Sequence, residues 1–243
     1  MQNLPSISQL IKESFYNFKT NFINVLLVKL PIMAIIFVIF GLWVIFYTSF
    51  SNQIKDEYDT INYLILPLAV IILIFLAFIL STFAYRASIL RLSSKELRLL
   101  DVYKASSSGL ISFFLTLLLS GLIIIVGFFL FIIPGVIFLL RFYFVPFVAS
   151  LEGVYYRSAL RKSSEYVKGL WWKVFARILI LVVILFVVSV IFYIILFILG
   201  KISPIIPSLL SIILNYAIHV FSLVYMFTLY NQIKNVKREP NLE

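Results

Sequence analysis

The sequence predicts an all-α polytopic membrane protein with about six transmembrane helices and amphipathic helices at the cytoplasmic interface. The first reason is composition: 63% of the 243 residues are hydrophobic and only 12% are charged, whereas a soluble domain has about 45–50% apolar and about 25% charged residues. The second reason is that the apolar residues are gathered into stretches of about 20, the length that a helix needs to cross a bilayer. The composition therefore indicates an integral membrane protein and argues against a water-soluble enzyme.

Six apolar stretches are long enough, or nearly long enough, to cross the membrane. They are residues 24–50, 62–83, 109–133, 136–150, 174–200 and 207–230. Only Pro134 and Gly135 separate the third stretch from the fourth, and a proline–glycine pair between apolar runs favours a tight turn. Because the fourth stretch is short, the alternative is four full spans plus a re-entrant pair. In both arrangements the chain is a single integral membrane domain.

Lys and Arg are distributed unevenly between the predicted connections. Sixteen of the 20 lie in the N-terminal segment, the second and fourth connections and the tail, while only Lys55 and Lys201 lie in the other connections. Cytoplasmic loops carry the excess of Lys and Arg. Both termini are therefore predicted to be cytoplasmic, and residues 231–243 form a basic tail.

Two of the cytoplasmic segments have helical patterns of their own. Apolar residues recur at helical spacing within residues 1–22, and Ser6 and Gln9 have the spacing of a capping box. Residues 156–171 place apolar positions on one face and basic residues beside them. A basic helix with an apolar face next to a membrane typically lies in the headgroup plane, so residues 6–22 and 156–171 are predicted as interfacial helices.

Three segments of the chain resemble one another. Lys12, Lys104 and Arg161 each stand two residues before a serine, and each segment then runs through aromatic residues into a predicted span. This pattern predicts three degenerate repeats, each an interfacial helix followed by a transmembrane hairpin. The offsets between the three basic residues are unequal, 92 and 57 residues, so a chance likeness is the alternative.

From Pro134 onward the sequence is similar to a known family. The residues that carry the resemblance are Pro134-Gly135, Arg141, Pro146, Glu152, Ala159-Leu160, Ser163 or Ser164, Gly169 and Trp172. They resemble the membrane-domain family associated with glycerophosphoryl diester phosphodiesterases, which also occurs as stand-alone bacterial and archaeal membrane proteins. The resemblance implies a polytopic helical domain in the cell membrane of a bacterium or archaeon. We do not expect phosphodiesterase activity, because one histidine, His219, cannot supply the paired histidines of the catalytic domain.

Arg141 is the most unusual charge because it falls inside an apolar stretch. An arginine at the centre of a span costs about 2.5–3.5 kcal/mol on insertion scales, so it needs a partner or a route to water. It is predicted either to snorkel to the outer headgroups or to bind an anion or a lipid headgroup. The residues grouped with it as candidate anion-binding, headgroup-binding or structural residues are Glu152, Arg157, Arg161, Lys162 and Lys168. Arg161 and Glu165 have the spacing of a helical ion pair.

The last predicted span has a polar face about 80° wide, if each residue advances about 100° around the helix. Its members are Ser208, Ser211, Asn215, His219 and Ser222. A pore or proton path needs such a face, and so does ordinary helix packing. Packing is favoured because no predicted span contains a carboxylate. A similar stripe on the third span is a candidate packing partner, and it consists of Ser112, Thr116, Ser120 and Gly127.

The function predicted from the sequence is that of a non-enzymatic membrane scaffold or lipid-interacting protein. Its predicted partners are the anionic phospholipids of the inner leaflet, together with other membrane proteins, because each Lys or Arg near an anionic leaflet contributes about 1 kcal/mol of attraction. The alternative is a small transporter or channel that uses the polar face of the last span and Arg141. An intramembrane lipid enzyme is least favoured, since the chain has no cysteine and one histidine. No cofactor, metal or nucleic-acid partner is expected.

Overall fold

The structure, a computed structural model, describes residues 4–53, 59–94, 96–201 and 205–238, and within these residues the chain forms nine α-helices and no β-strand. In chain order the helices are α1 (Ile7–Gln53), α2 (Asp59–Ser93), α3 (Leu99–Ser107), α4 (Leu110–Leu130), α5 (Ile132–Phe142), α6 (Val145–Leu151), α7 (Tyr156–Val167), α8 (Trp171–Gly200) and α9 (Ile205–Arg238). Six segments of the described chain are long and apolar enough to cross a membrane, with α5 and α6 together forming one of them. The all-α polytopic prediction is confirmed.

The first helix is longer than the sequence pattern suggests. The predicted interfacial segment 1–22 and the predicted span 24–50 are not separate elements, since α1 runs from Ile7 to Gln53. Ser6 caps this helix, because its Oγ accepts a hydrogen bond from the backbone N–H of Gln9 at 3.2 Å. The other half of the predicted capping box is not formed, since the Gln9 side chain donates to Glu13 Oε1 at 3.0 Å instead. Between Ile7 and Pro31 the sequence has no glycine or proline, and without such a residue the backbone hydrogen bonds continue from one segment into the next.

The start of α1 packs beside the last helix. Its contacts pair Glu13 with Gln232, Asn17 with Thr228, Phe18 with Phe221 and Phe22 with Tyr216. The α1 numbers rise while the α9 numbers fall, so the two helices are antiparallel along this contact. Residues 6–22 thus follow the direction of a candidate span, which differs from the separate surface helix that the pattern favoured.

The third and fourth predicted spans are separated at a different residue from the one predicted. The break lies at Phe131, which is extended with φ −161° and ψ 155°, whereas Pro134 and Gly135 lie in the first turn of α5. A proline in the first turn loses no helical hydrogen bond, because the first N–H groups of a helix have no partner within it. The prediction of a turn at these two residues is wrong.

Glycine instead sets how closely α4 and α5 approach. A Cβ atom added to Gly135 would collide with the ring of Phe128, and one added to Gly127 would lie 2.6 Å from Cδ2 of Phe138 and 3.1 Å from Cα of Gly135. The two helices can therefore meet along their backbones only because both positions lack a side chain. Gly127 belongs to the predicted α4 stripe, and its lack of a side chain allows α5 to pack closely against α4.

The later helices agree with the predicted spans, with differences at their ends. The predicted helix 156–171 is present as α7, which ends at Val167, and α8 begins at Trp171. The predicted basic tail, residues 231–243, begins inside a helix, because α9 continues to Arg238. The remaining residues, 239–243, lie outside the described residues.

Two of the three predicted repeats share a turn. Ser108 before α4 and Lys168 before α8 have φ −63° and −56° with ψ 116° and 125°, and the glycines that follow, Gly109 and Gly169, have φ 71° and 79°. These angles are typical of a type II turn, whose third residue requires a positive φ and is therefore usually glycine. The corresponding place in the first predicted repeat lies inside α1 and has no turn.

The chain divides into two compact units. The large unit contains Met1–Ile23 and Ile111–Glu243, and the small unit contains Asn24–Leu110. In the small unit Val28, Ala87 and Val102 are fully buried, and the hydroxyl of Tyr103 donates a 2.8 Å hydrogen bond to the carbonyl oxygen of Val28. The candidate functional residues described next belong to the large unit.

Candidate functional site

Helix α7 positions most of the predicted site residues. Its apolar face is buried, and this face consists of Ala159, Leu160, Ser163 and Val167. Ser163 Oγ donates a 2.7 Å hydrogen bond to the carbonyl oxygen of Arg141, which fixes α7 against the end of α5. The residues on the two sides of this buried face therefore lie in two different environments, one buried and one open.

The start of α7 is held by α4. Tyr156 has a left-handed backbone with φ 56°, a conformation that costs a residue with a side chain about 1–2 kcal/mol. Its N–H donates to Thr116 Oγ1 at 2.8 Å, and its hydroxyl and Ser112 Oγ are 3.1 Å apart. Two residues of the α4 stripe, Ser112 and Thr116, thus bond to the start of α7.

One side of α7 forms a buried charge cluster around Glu152, here called the Glu152 cluster. Glu152 Oε1 accepts hydrogen bonds from the hydroxyl of Tyr166 at 2.7 Å, from Lys234 Nζ at 3.0 Å and from the hydroxyl of Tyr230. Its second oxygen, Oε2, forms an ion pair with Lys162 Nζ. Only 9% of the Glu152 side chain is exposed. The cluster therefore joins the α6–α7 connection to both α7 and α9.

The charge state of Glu152 follows from competing effects. Burial raises the pKa of its carboxyl group, but hydrogen bonds from Lys162, Tyr230, Tyr166 and Lys234 together outweigh burial and lower the pKa to about 2. The carboxylate is therefore ionised at any physiological pH and is poorly suited to donate or accept a proton in a reaction. This arrangement indicates a structural role for Glu152 and Lys162.

The other side of α7 opens into a groove of about 620 Å³, here called the basic groove. It is lined by Ile137, Arg141, Arg161, Ser164, Glu165, Val167, Lys168, Gly169 and Trp171. Three predicted candidates, Arg141, Arg161 and Lys168, meet here. Ser164, Glu165 and Lys168 follow Arg161 by three, four and seven residues, which places these four residues on one helix face.

The basic groove has more positive charge than its own residues neutralise. Arg161 Nε pairs with Glu165 Oε1 at 3.1 Å, as the spacing predicted. The side chains of Arg141 and Lys168 form no hydrogen bond or ion pair with any residue that the structure describes, although their carbonyl oxygens accept bonds from Ser163 and Lys237. The side chains that line the groove thus have a net charge of about +2.

Arg141 is exposed rather than buried, and apolar groups lie beside it. Ile137 precedes it by one helical turn on α5, so both side chains lie on the same face. Trp171 adds an aromatic wall, and its ring stacks on Phe175 with a centroid distance of 5.7 Å. The groove therefore combines cations with apolar surface.

The remaining candidates lie outside the groove and the cluster. Arg157 is exposed and does not line the groove. On the polar face of α9, Ser208, Asn215 and His219 are exposed, while Asn215 Nδ2 donates to the carbonyl oxygen of Ser211 at 2.8 Å. One residue of this face makes a contact between helices, because the Tyr193 hydroxyl on α8 donates a 3.5 Å hydrogen bond to Asn215 Oδ1.

Sequence reasoning missed Tyr166, Tyr230 and Lys234. Lys162 and Tyr166 are four residues apart, as are Tyr230 and Lys234, so each pair shares a helix face. That spacing could have indicated two faces suited to one carboxylate. It could not have shown that the two faces meet.

Other observations bear on the chemistry of the chain. Among the residues that the structure describes, no group of three or more His, Cys, Asp or Glu side chains could hold a metal ion. No protein-family model matches the chain, and no curated protein or solved structure matches it. The chain is a multi-pass membrane protein, and its basic groove is the best candidate for a binding site.

Proposed function

We propose that this membrane protein is a non-enzymatic lipid-binding protein that holds the headgroup of an anionic phospholipid in the basic groove. The observation that carries the proposal is the pair of cations, Arg141 and Lys168, that line the groove without a partner among the described residues. Cations in such a place attract phosphate oxygens, and an arginine can bind two of them at once through its planar fork.

The apolar groups of the groove fit the rest of a lipid. Ile137 and Trp171 line the groove together with the cations, and tryptophan is enriched where proteins meet the membrane interface. A soluble anion would gain nothing from these side chains, whereas a lipid could contact them with its glycerol and first methylene groups. The combination therefore favours a lipid over a soluble anion.

The orientation and location of the protein are part of the proposal. The excess of Lys and Arg on one side supports cytoplasmic termini, which would place the groove in the anionic inner leaflet. The resemblance to the membrane-domain family associated with glycerophosphoryl diester phosphodiesterases supports the cell membrane of a bacterium or archaeon. Neither argument depends on the groove.

The transporter or channel alternative has less support. It depended on Arg141 acting together with the polar face of the last span, but no residue of that face lines the groove that contains Arg141. Ser211 Oγ and Asn215 Nδ2 donate to carbonyl oxygens of their own helix. The absence of that face from the lining of the groove supports the lipid-binding proposal over the transporter or channel alternative.

The test compares the lipids that co-purify with three proteins. Arg141→Leu is expected to lower the retained anionic phospholipid about tenfold relative to the unmodified protein, since a charged hydrogen-bond partner is worth roughly 1.5–3 kcal/mol. Arg157→Leu is the matched control, because Arg157 is an exposed arginine of α7 outside the groove. Lipid mass spectrometry on the detergent-purified proteins gives the readout. Equal retention by all three proteins would rule out the proposed function.

A further inference from the structure

We propose that the basic groove selects a lipid phosphomonoester, such as phosphatidic acid, over the phosphodiester headgroups of common phospholipids. This inference rests on the proposed function and specifies its ligand class. A phosphomonoester has a charge of about −1.5 to −2 at pH 7 and three strong acceptor oxygens. A phosphodiester has one charge and two non-bridging oxygens.

The charges of the groove are the first observation. Four ionisable side chains line it: Arg141 from α5, Arg161 and Glu165 from α7, and Lys168 directly after α7. Glu165 already pairs with Arg161 at 3.1 Å, so two cations remain that can each pair with a negative charge of a ligand. A monoanionic headgroup would leave one of them uncompensated, whereas a dianionic phosphate would compensate both.

The second observation is that two neutral hydrogen-bond donors also line the groove. Ser164 lines the groove and its hydroxyl forms no hydrogen bond within the described chain. The N–H of Gly169 also has no acceptor among the described residues, because the turn bonds instead run from Lys168 to Ser164 and from Leu170 to Val167. These two donors add to the guanidinium and the ammonium group, so the groove offers more donors than two phosphodiester oxygens can use.

The backbone at Gly169 has open space beside it. Gly169 has φ 79°, so only glycine adopts this conformation without strain. A Cβ atom built at this position would have no neighbour within 4 Å, so the space beside the backbone is open. An oxygen of a bound phosphate can therefore approach the main chain at Gly169. In the sequence this residue lies between Lys168 and Trp171, which also line the groove.

The test titrates the unmodified, detergent-solubilised protein with short-chain lipids and measures their Kd. The lipids are dioctanoyl phosphatidic acid, phosphatidylglycerol and phosphatidylcholine, together with cardiolipin and inorganic phosphate as separate arms. At pH 8 we expect phosphatidic acid to bind at least tenfold more tightly than phosphatidylglycerol. This preference should shrink at pH 5.5, because the second pKa of a phosphomonoester is about 6 and the ligand then carries one charge.

Each other outcome has a distinct meaning. Equal binding of phosphatidic acid and phosphatidylglycerol, both tighter than phosphatidylcholine, would overturn the phosphomonoester preference and leave the proposed function intact. Equal binding of all three would overturn both. Inorganic phosphate binding as tightly as phosphatidic acid would identify a free-phosphate site, and tighter, pH-independent binding of cardiolipin would identify a site for two phosphodiesters. Both of these results contradict the inference.

A variant sharpens the test without touching a charge. Ser164→Ala removes one neutral donor and is expected to weaken phosphatidic acid binding three- to tenfold while leaving phosphatidylglycerol binding within twofold. Ser158→Ala is the matched control, because Ser158 is an exposed serine of α7 that does not line the groove. Thermal unfolding of both variants confirms that they are folded. An equal loss for both lipids in Ser164→Ala would contradict the role given to its hydroxyl.

Discussion

Helix α7 has two polar sides, and a lysine on each side lies in a different environment. On one side Lys162 meets a buried carboxylate, Glu152, and every oxygen of that carboxylate has a donor. On the other side Lys168 lines an open groove with Arg141, and neither side chain has a partner in the described chain. A buried charge whose partners are in place depends on each of them, because removal of one partner is strongly destabilising, whereas an exposed cation without a partner is available to a ligand. The difference separates structural residues from candidate binding residues on one short helix.

The largest expected effect is on the Glu152 cluster. Glu152→Gln removes the negative charge between Lys162 and Lys234 and should lower the free energy of unfolding by about 3 kcal/mol, because it leaves Lys234, whose side chain is only 18% exposed, without a negative partner. The matched control is Glu165→Gln on the other side of α7, where the ion pair with Arg161 is largely exposed and is worth at most about 1 kcal/mol. Thermal unfolding in detergent measures both. Equal losses in the two variants would remove the distinction between the two sides.

Acid should reproduce most of that loss in the unmodified protein. The pKa of Glu152 is lowered from 4.5 to about 2 in the folded state, so its contribution is fully present above pH 4.5 and is lost as the pH falls towards 2. The loss amounts to roughly 3 kcal/mol, since each pKa unit corresponds to about 1.4 kcal/mol. Glu152→Gln should lack this component in unfolding measured between pH 6 and pH 2.5. An identical pH profile in both proteins would contradict the assigned charge state.

A smaller effect is expected from a single hydroxyl of the cluster. Tyr166→Phe removes one hydrogen bond to the carboxylate, 2.7 Å long, and should cost about 1.5 kcal/mol because the acceptor is charged. Tyr193→Phe serves as the control, because the Tyr193 hydroxyl is 3.5 Å from Asn215 Oδ1 and its side chain is half-exposed. The control should unfold within about 0.5 kcal/mol of the unmodified protein. A reversed order would show that the cluster contributes little.

The smallest effect on stability is expected in the groove. Lys162→Met should cost about 1 kcal/mol, because its side chain is 41% exposed and water screens its ion pair, while Lys168→Met should leave the unfolding temperature unchanged. Lys168→Met should instead weaken anionic lipid binding, which Lys162→Met should not affect. Paired melting curves and lipid titrations measure all four quantities. Destabilisation by Lys168→Met with unchanged lipid binding would assign Lys168 a structural role.

Local patterns in the sequence predicted the elements but not where the elements meet. Hydrophobic stretches located the six candidate spans, and helical spacing predicted the start of α7, the Ser6 cap and the Arg161–Glu165 pair, all of which depend on residues a few positions apart. The break at Phe131 escaped prediction because tight packing of Gly135 against Phe128 is a property of two helices together. The hydrogen-bond donors that α9 supplies to Glu152 could not be predicted for the same reason, since Tyr230 lies 78 residues further along the chain.

That separation of 78 residues also sets an order of events during biosynthesis. Glu152 leaves the ribosome long before Tyr230, and at about 5–20 residues per second the interval is roughly 4–16 s. Lys162 and Tyr166 can reach the carboxylate early, whereas Tyr230 and Lys234 arrive only with the final helix. The nascent chain must therefore keep a partly neutralised glutamate hydrated until the last span inserts, and closure of the cluster is one of the last steps of assembly.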